Sequence, residues 1–291
     1  MPMPDNADLK LTPGELSLID RHLREQYRGV FDEQMIKAHL GEFVESAFAD
    51  NMAAVVAADS APGETVLDIG SGYGAFVLSC RRYGLDAVGY ELAGFEVEIS
   101  RQRLARNEPA ADPAAVFFKG DAGKLPFPDN AFGVVTLFNV IEHVPDYYAV
   151  LAEATRVLRP GGKLVVVCPN YAAFRKEAHY HVPWLPFFPR KLASKYLRLR
   201  GRNPGFFEDH IYYCSNWGVL NALVRLGMKA VNMDVIRLDH PELFSSRRAR
   251  QVLGLLRAGH LLPIMKRLLA INLYNPVKSA VTVVAEKKAL T

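Results

Sequence analysis

A glycine-rich turn between a short apolar strand and a helix constrains this 291-residue chain more than any other feature. It reads Asp68-x-Gly70-x-Gly72-x-Gly74, follows the apolar run 65–69 and precedes a helical pattern over 75–83. Glycines let a ligand lie against the backbone, and the start of the following helix offers free amide donors. The spacing differs from the G-x-G-x-x-G turn that holds a pyrophosphate, so a ligand without phosphates fits at least as well.

Strands and helices alternate from residue 65 to residue 170, which predicts an α/β fold. Apolar strands are expected at 65–69, 87–90, 116–118, 133–138 and 163–168. Continuous apolar strands separated by helices indicate a parallel sheet that is covered on both faces. Right-handed crossovers then make the sheet doubly wound, with the ligand crevice at the carboxyl ends of its strands.

The flanking segments predict a helical extension and two insertions. Residues 1–60 are expected to form a helical N-terminal extension, and residues 61–291 one domain. Strands are expected at 229–238 and 280–286. The segment 171–209 looks irregular, whereas 240–278 is mostly helical in pattern. Because both segments follow strands, we expect them to emerge over the crevice and to form a substrate cap.

Acidic side chains follow the next two strands. Glu91 ends the second strand, where a carboxylate can accept both ribose hydroxyls of an adenosine. Asp121 ends the third strand, is followed by Ala122, and can accept from an adenine amino group. Three successive strand ends with suitable groups predict an adenosine pocket.

These motifs resemble those of class I S-adenosylmethionine-dependent methyltransferases, in the broad group that includes ubiquinone-pathway O-methyltransferases. The matching segments are 66–74, 89–91, 120–122, 125–129, 139–144 and 158–162. The resemblance implies a Rossmann-like, doubly wound sheet of seven mostly parallel strands, and S-adenosyl-L-methionine as the cofactor. It places in the cofactor pocket Asp68, Gly70, Ser71, Gly72, Gly74, Glu91, Leu92, Asp121, Ala122 and Asn139.

Two histidines and one acid are candidates for acid–base catalysis. An oxygen acceptor needs a base, and His143 follows the fourth strand near the expected methyl donor. His210 resembles a histidine that recurs at this place in related enzymes, and Glu142 would complete an acid–base cluster. In small-RNA methyltransferases a Glu-x-x-Glu-His run and the later histidine hold a metal. Here Asn139 replaces the first Glu, so we predict no metal.

Basic residues are concentrated in the two insertions. Residues 171–209 hold eight Lys or Arg against three acids, and residues 240–278 hold seven against one. Three interpretations remain open: a solvated helical face, attraction to an anionic or lipid-bearing acceptor at a membrane surface, and nucleic-acid backbone binding. The second predicts that neutralising Arg190, Lys191 and Lys195 weakens liposome binding. His179 and His181 are read as surface loop histidines or as substrate contacts.

The leading functional hypothesis is O-methylation of a small-molecule, sugar or lipid-linked acceptor. RNA methylation and S-adenosylmethionine binding without turnover are the alternatives, and nucleic acid is the less favoured partner. Three separated cysteines, without metal or disulfide spacing, predict reduced thiols and a cytoplasmic protein with peripheral membrane contact as an option. The sequence does not identify the acceptor, the methylated atom or the oligomeric state.

Overall fold

Seven strands form one mixed sheet at the centre of the protein, in a computed structural model that describes residues 9–43, 47–244, 246–276 and 278–288. The strands are β1 Thr65–Ile69, β2 Asp86–Glu91, β3 Phe117–Lys119, β4 Phe132–Phe138, β5 Leu158–Pro169, β8 Met228–Asn232 and β9 Ala280–Lys287. A separate hairpin pairs β6 Arg175–Lys176 with β7 Pro183–Trp184.

The strand order is β3-β2-β1-β4-β5-β9-β8. The first five strands are parallel, whereas β9 runs antiparallel to both of its neighbours, so β8 again runs with the first five. This confirms the predicted sheet of seven mostly parallel strands. The order reverses between β1 and β4, and a crevice opens at such a switch point, outside the carboxyl ends of the strands.

Helices precede the sheet and alternate with its strands. They are α1 Pro13–Gln26, α2 Glu33–Ala38, α3 Ala47–Ala58, α4 Ala75–Arg82, α5 Gly94–Asn107, α6 Pro113–Val116, α7 Tyr147–Val157, α8 Arg190–Leu199, α9 Gly205–His210, α10 Asn216–Arg225, α11 Met233–Asp239, α12 Arg247–Ala258 and α13 Leu262–Asn272. A π-helical turn, His39–Phe43, follows α2 directly. The first helix begins with a capping box, in which Thr12 and Glu15 bond each other's backbone amides.

Two apolar layers cover the two faces of the sheet. On one face α3, α4 and α5 pack on the strands through side chains such as Met52, Phe76 and Leu104. On the other face α7 and α10 do so through Leu151 and Leu223. Both faces of the sheet are therefore covered by helices, and this explains why the strand sequences are unbroken apolar runs.

The helices α1 and α2 form a third apolar cluster above the crevice edge. Ile19 and Leu23 of α1 pack with Ile36 of α2, with Tyr73 of the glycine-rich turn and with Ile99 of α5. The described residues of the predicted N-terminal extension are mostly helical, and its first helices lie against the turn, whereas residues 1–8 and 44–46 of that prediction lie outside the described ranges. The proposed domain boundary at residue 60 stays a prediction.

The structure corrects two sequence-based expectations. The predicted strand 229–238 ends at Asn232, because the Asn232 side chain accepts from the amide of Asp234 and begins α11. The segment 171–209 is more regular than expected, since it contains the β6–β7 hairpin and the helices α8 and α9. Its aromatic and apolar side chains, among them Trp184 and Phe207, are buried in the main core.

Candidate functional site

The glycine-rich turn has left-handed backbone at each of its three glycines, with φ of 73° at Gly70, 50° at Gly72 and 77° at Gly74. A side chain at Gly70 would overlap Val140, and one at Gly74 would overlap Phe117. At Gly72 no described atom lies within 4 Å of the position that a Cβ would occupy. Gly72 is therefore the place where a ligand can lie directly on the backbone.

Glu91 lies at the mouth of this turn. One carboxylate oxygen accepts from the Gly72 amide at 3.0 Å, and the other accepts from the Ala93 amide at 2.9 Å. A carboxylate has about four acceptor positions, so two remain for hydroxyl donors. The contact joins the end of β2 to the open glycine, as an adenosine ribose would require.

Asp68, in β1 just before the glycine-rich turn, links this strand to β4. Its buried carboxyl accepts from the Thr136 hydroxyl at 2.6 Å. Burial raises the pKa of Asp68 to about 7, with a smaller contribution from the charge of Glu91 and against the hydrogen bond from Thr136, which lowers it. We infer that Asp68 fixes the backbone of β1 and β4 at the switch point, while Glu91 is the acid that faces the crevice.

The other residues expected in the cofactor pocket border the same edge. Asp121 is exposed and accepts from the Gly123 amide at 2.8 Å, Ala122 is half-buried, and Leu92 is 68% exposed. Asn139 has a left-handed φ of 54°, and its amide donates to the Val167 carbonyl at 2.8 Å. The buried Ser71 hydroxyl has no hydrogen-bond partner within the described ranges. An open glycine, this hydroxyl and the spare acceptors of Glu91 suit an adenosine-bearing cofactor.

His143 lies in the loop after β4, in a 3₁₀ turn formed by Ile141–His143. Its Nδ1 donates to the His210 carbonyl at 2.8 Å. Burial, and then the charge of His179, lowers the pKa of His143 to about 4. At neutral pH the ring is therefore neutral, and the proton on Nδ1 leaves the lone pair on Nε2.

The predicted residues His143 and His210 are in contact, but the His143 ring bonds the backbone carbonyl of His210 and not its side chain. The His210 side chain itself is exposed and lies 5.1 Å from the Phe206 ring, centroid to centroid. Glu142 is buried, and neither carboxylate oxygen has a hydrogen-bond partner among the described residues. Burial raises the pKa of Glu142 to about 7. The three residues are neighbours, but the Glu142 carboxylate does not bond the His143 ring.

A buried acid positions His179 beside His143. Glu177 accepts from the backbone amides of His179 and Tyr180, both at 2.7 Å, and from the His179 ring at 3.2 Å. Burial acts to raise its pKa, but the charge of His179 and these hydrogen bonds outweigh it and hold the pKa at about 2. The rings of His179 and His143 are 5.1 Å apart. Of the histidines considered at 179 and 181, His179 thus belongs to the candidate site.

Sequence reasoning missed the residues that the segment between α1 and α2, the π-helical turn and α9 bring to this place. Phe206 packs against His143 at 6.0 Å and against His179 at 5.1 Å, and Phe31 packs on Phe206 at 5.0 Å. His39 also lies here, with its ring 6.5 Å from that of Phe31, and burial and then the charge of His179 lower its pKa to about 4. The aromatic cluster is formed by Tyr27, Phe31, His39, Tyr73, His143, His179, Phe206 and His210. The dense aromatics of 27–31 and 206–213 were the available signal.

Several cations of the basic insertions serve the fold. Arg190 donates to the carbonyls of Phe207, Glu208 and Ile211 at 2.7–2.9 Å and lies over the Phe207 ring. Arg202 bonds Asp32 and is therefore also bound within the protein. Within the described ranges, no group of three or more His, Cys, Asp or Glu side chains could hold a metal ion.

Comparison with known proteins places these features in a family. A family described as Methyltransferase domain matches residues 67–166. Demethylmenaquinone methyltransferase of Tropheryma whipplei is 28% identical over 53% of this chain and 60% of its own length. The protein of the same name from Beutenbergia cavernae is 34% identical over 55% and 60%. The chain thus spans about 60% of the length of these curated relatives.

A solved structure agrees with the fold. Phosphoethanolamine N-methyltransferase 2 of Haemonchus contortus, in complex with S-adenosyl-L-methionine, superposes with a TM-score of 0.55. The match covers 93% of this chain and 60% of that chain at 16% identity, which shows a shared fold. The domain match over residues 67–166 and the curated relatives support the predicted class I S-adenosylmethionine-dependent methyltransferase family, with S-adenosylmethionine as the cofactor.

Proposed function

We propose that the protein methylates a hydroxyl group on a small, ring-bearing acceptor, with His143 as the base. The observation that carries this proposal is the neutral His143 ring, held by the His210 carbonyl inside an aromatic cluster. The bound cofactor supplies an activated methyl group on a sulfonium. The residues of the chain bind the cofactor, orient the acceptor and remove its proton.

The loop that carries His143 lies directly on the glycine-rich turn. Val140 is the side chain that fills the space beside Gly70, and the His143 amide donates to the Val140 carbonyl at 2.8 Å. The candidate base is therefore attached to the wall of the cofactor crevice. Such fixed placement supplies much of the rate when the donor is already activated.

The acceptor side is built mainly from rings. Tyr27, Phe31 and Phe206 pack face to face or edge to face with centroids 4.3–5.9 Å apart. An aromatic surface favours a flat, weakly polar acceptor over a sugar. The names of the two curated relatives, demethylmenaquinone methyltransferases, support a flat, ring-bearing acceptor but not a hydroxyl as the methylated atom.

A substrate panel tests the proposal. Labelled S-adenosylmethionine is incubated with the protein and with ring-bearing hydroxy compounds, including reduced demethylmenaquinone, and with RNA for comparison. We expect the label as an O-methyl group on a ring hydroxyl. Label in RNA alone would overturn the acceptor class, and a C-methyl product would overturn the methylated atom.

Replacement of the candidate base tests the role of His143. With the best acceptor, His143→Gln should lower kcat about 100-fold or more and leave the cofactor Kd unchanged, because general-base catalysis contributes roughly this factor. His240→Gln is the matched control, since His240 bonds Glu242 outside the site. Because the pKa of His143 is about 4, wild-type kcat/KM should stay level from pH 6 upward and fall towards pH 4. Full activity of His143→Gln excludes His143 as the base.

A further inference from the structure

The helices α12 and α13 form a hairpin that is attached to the protein along one side. Asn232 Nδ2 donates to the Leu269 carbonyl at 2.9 Å, and Asn216 Nδ2 donates to the Leu273 carbonyl at 2.6 Å. Lys266 pairs with Asp239 at 2.6 Å. Since the hairpin connects β8 to the antiparallel β9, it leaves and rejoins the sheet at the carboxyl edge, where the cofactor crevice lies.

The outer side of α13 carries an apolar stripe. Leu261, Ile264, Leu268 and Ile271 recur at three or four residues and so share one helix face. They are between 48% and 70% exposed, and Val252 and Leu255 of α12 are 55% and 71% exposed. In a globular protein such a stripe normally packs on the core. Here it faces outwards, and a large exposed apolar surface marks an interaction site.

Exposed aromatic side chains extend this surface. Tyr274, one turn beyond Ile271, lines a groove of about 290 Å³ together with Trp217 and Val224 of α10. Trp217 is 62% exposed. Tryptophan and tyrosine favour the boundary between water and lipid, because each combines an apolar ring with a polar atom.

The positive charge of the hairpin indicates which kind of surface it binds. From residue 243 to residue 285 the chain has seven Lys or Arg and no Asp or Glu. Arg267 lies beside the apolar stripe, and Arg248 lies one turn before Val252 on α12. Two copies of this surface would repel each other, so self-association is disfavoured. An anionic surface with an apolar interior complements both the positive charge and the apolar stripe of the hairpin.

We propose that the α12–α13 hairpin, residues 247–274, docks the protein on an anionic lipid bilayer. The apolar stripe enters the acyl boundary while the arginines contact anionic headgroups, as in interfacial amphipathic helices. At 12 and 11 residues the two helices are too short to cross a bilayer, and no helix in the described ranges has the length and apolarity for a span. The proposal does not depend on which acceptor is methylated.

The position of the two tryptophans provides a direct test. Trp184 is buried and Trp217 is exposed next to the stripe, and the chain has no other tryptophan. Full-length protein is titrated with vesicles of phosphatidylcholine alone or with about one third phosphatidylglycerol. We expect co-flotation and a blue shift of fluorescence with the anionic vesicles only, and no shift in Trp217→Phe. Binding should weaken as salt is raised.

Variants locate the docking surface. Ile264→Ser with Leu268→Ser should weaken partitioning about tenfold or more, since apolar burial drives interfacial binding. Arg248→Gln with Arg267→Gln should reduce the salt dependence. Leu192→Ser with Leu199→Ser, on the exposed side of α8 in the other basic insertion, is the matched control and should bind as the wild type does. Unchanged cofactor binding in calorimetry shows that each variant is folded.

Three outcomes overturn the proposal. The first is equal binding to neutral and anionic vesicles, or binding to neither. The second is a loss that follows the α8 substitutions and spares the hairpin variants. The third is a wild-type dimer in light scattering that Ile264→Ser with Leu268→Ser converts to a monomer, because the stripe is then covered by a second copy.

Discussion

At the scale of single residues, we infer that Gly72 lies in the cofactor site, because no described atom lies within 4 Å of the position that its Cβ would occupy. Gly63 provides a matched comparison, since it has a left-handed φ of 75° and open surroundings in a surface turn. Alanine at either position should lower the free energy of unfolding by about 1–2 kcal/mol through backbone strain. Only Gly72→Ala should also weaken S-adenosylmethionine binding, by about tenfold or more in calorimetry. Equal affinity in both variants would place the cofactor elsewhere.

Glu142 couples the stability of the protein to pH. Its pKa is raised from 4.5 to about 7, chiefly by burial, so it favours the folded state below pH 4.5 and loses that contribution as pH rises through 7. Glu142→Gln removes the ionisable group. The variant should therefore gain stability relative to the wild type between pH 5 and pH 8, by up to about 3 kcal/mol, in denaturant titrations.

Glu153 is the control with the opposite sign. Its hydrogen bond with Arg156 lowers the pKa of Glu153, so its contribution is present above pH 4.5 and is lost in acid. Glu153→Gln should therefore lose stability relative to the wild type as the pH rises. The same pH profile for Glu142→Gln and the wild type would show that Glu142 ionises freely in the folded protein.

At the scale of elements, the first insertion is fastened to the N-terminal helices. Arg202 bonds the side chains of Asp32 and Gln34, and Asn203 bonds the Gly29 carbonyl. These contacts close the loop between α1 and α2 over the aromatic cluster. The rings of Tyr27, Phe31 and Phe206 belong to one cluster with His143, so we infer that the segment between α1 and α2 covers the proposed acceptor site.

Arg202→Ala tests this cover. Protease cleavage between residues 27 and 43 should become faster, and the KM for the acceptor should change several-fold while the cofactor Kd stays the same. Arg198→Ala is the control, because it breaks the exposed Arg198–Glu208 ion pair in the same insertion. Identical digestion of both variants would mean that Arg202 does not hold the N-terminal segment.

At the scale of the whole molecule, the basic charge of the two insertions divides into different roles. Arg190 and Arg202 of the first insertion bond backbone carbonyls or the N-terminal segment, so they hold the fold together. Arg248 and Arg267 of the second insertion lie on the exposed hairpin. Composition predicted an excess of charge over the crevice, but only the packing distinguishes the structural arginines from those that face solvent.

The local patterns predicted most of the sheet and placed the glycine-rich turn and Glu91 at one edge of it. Gly70, Gly72 and Glu91 could be placed because they stand at strand ends, and parallel strands bring their carboxyl ends to one edge. The predicted strand 229–238 was wrong beyond Asn232, since the apolar residues of a short helix such as α11 also fit the pattern of a strand. The hydrogen bond from the Asp234 amide to the Asn232 side chain favours the helix.

The sequence by itself determined the sheet, its glycine-rich turn and the acid at the end of β2, because periodicity and chirality act locally along the chain. Only the tertiary structure determined that Phe31 packs on Phe206 and that Phe206 packs on His143. Phe31 lies more than 100 positions before His143 and Phe206, and their contact depends on the packing of the N-terminal segment against the first insertion. The lowered pKa of His143 likewise depends on tertiary packing, because burial of the ring is its main cause.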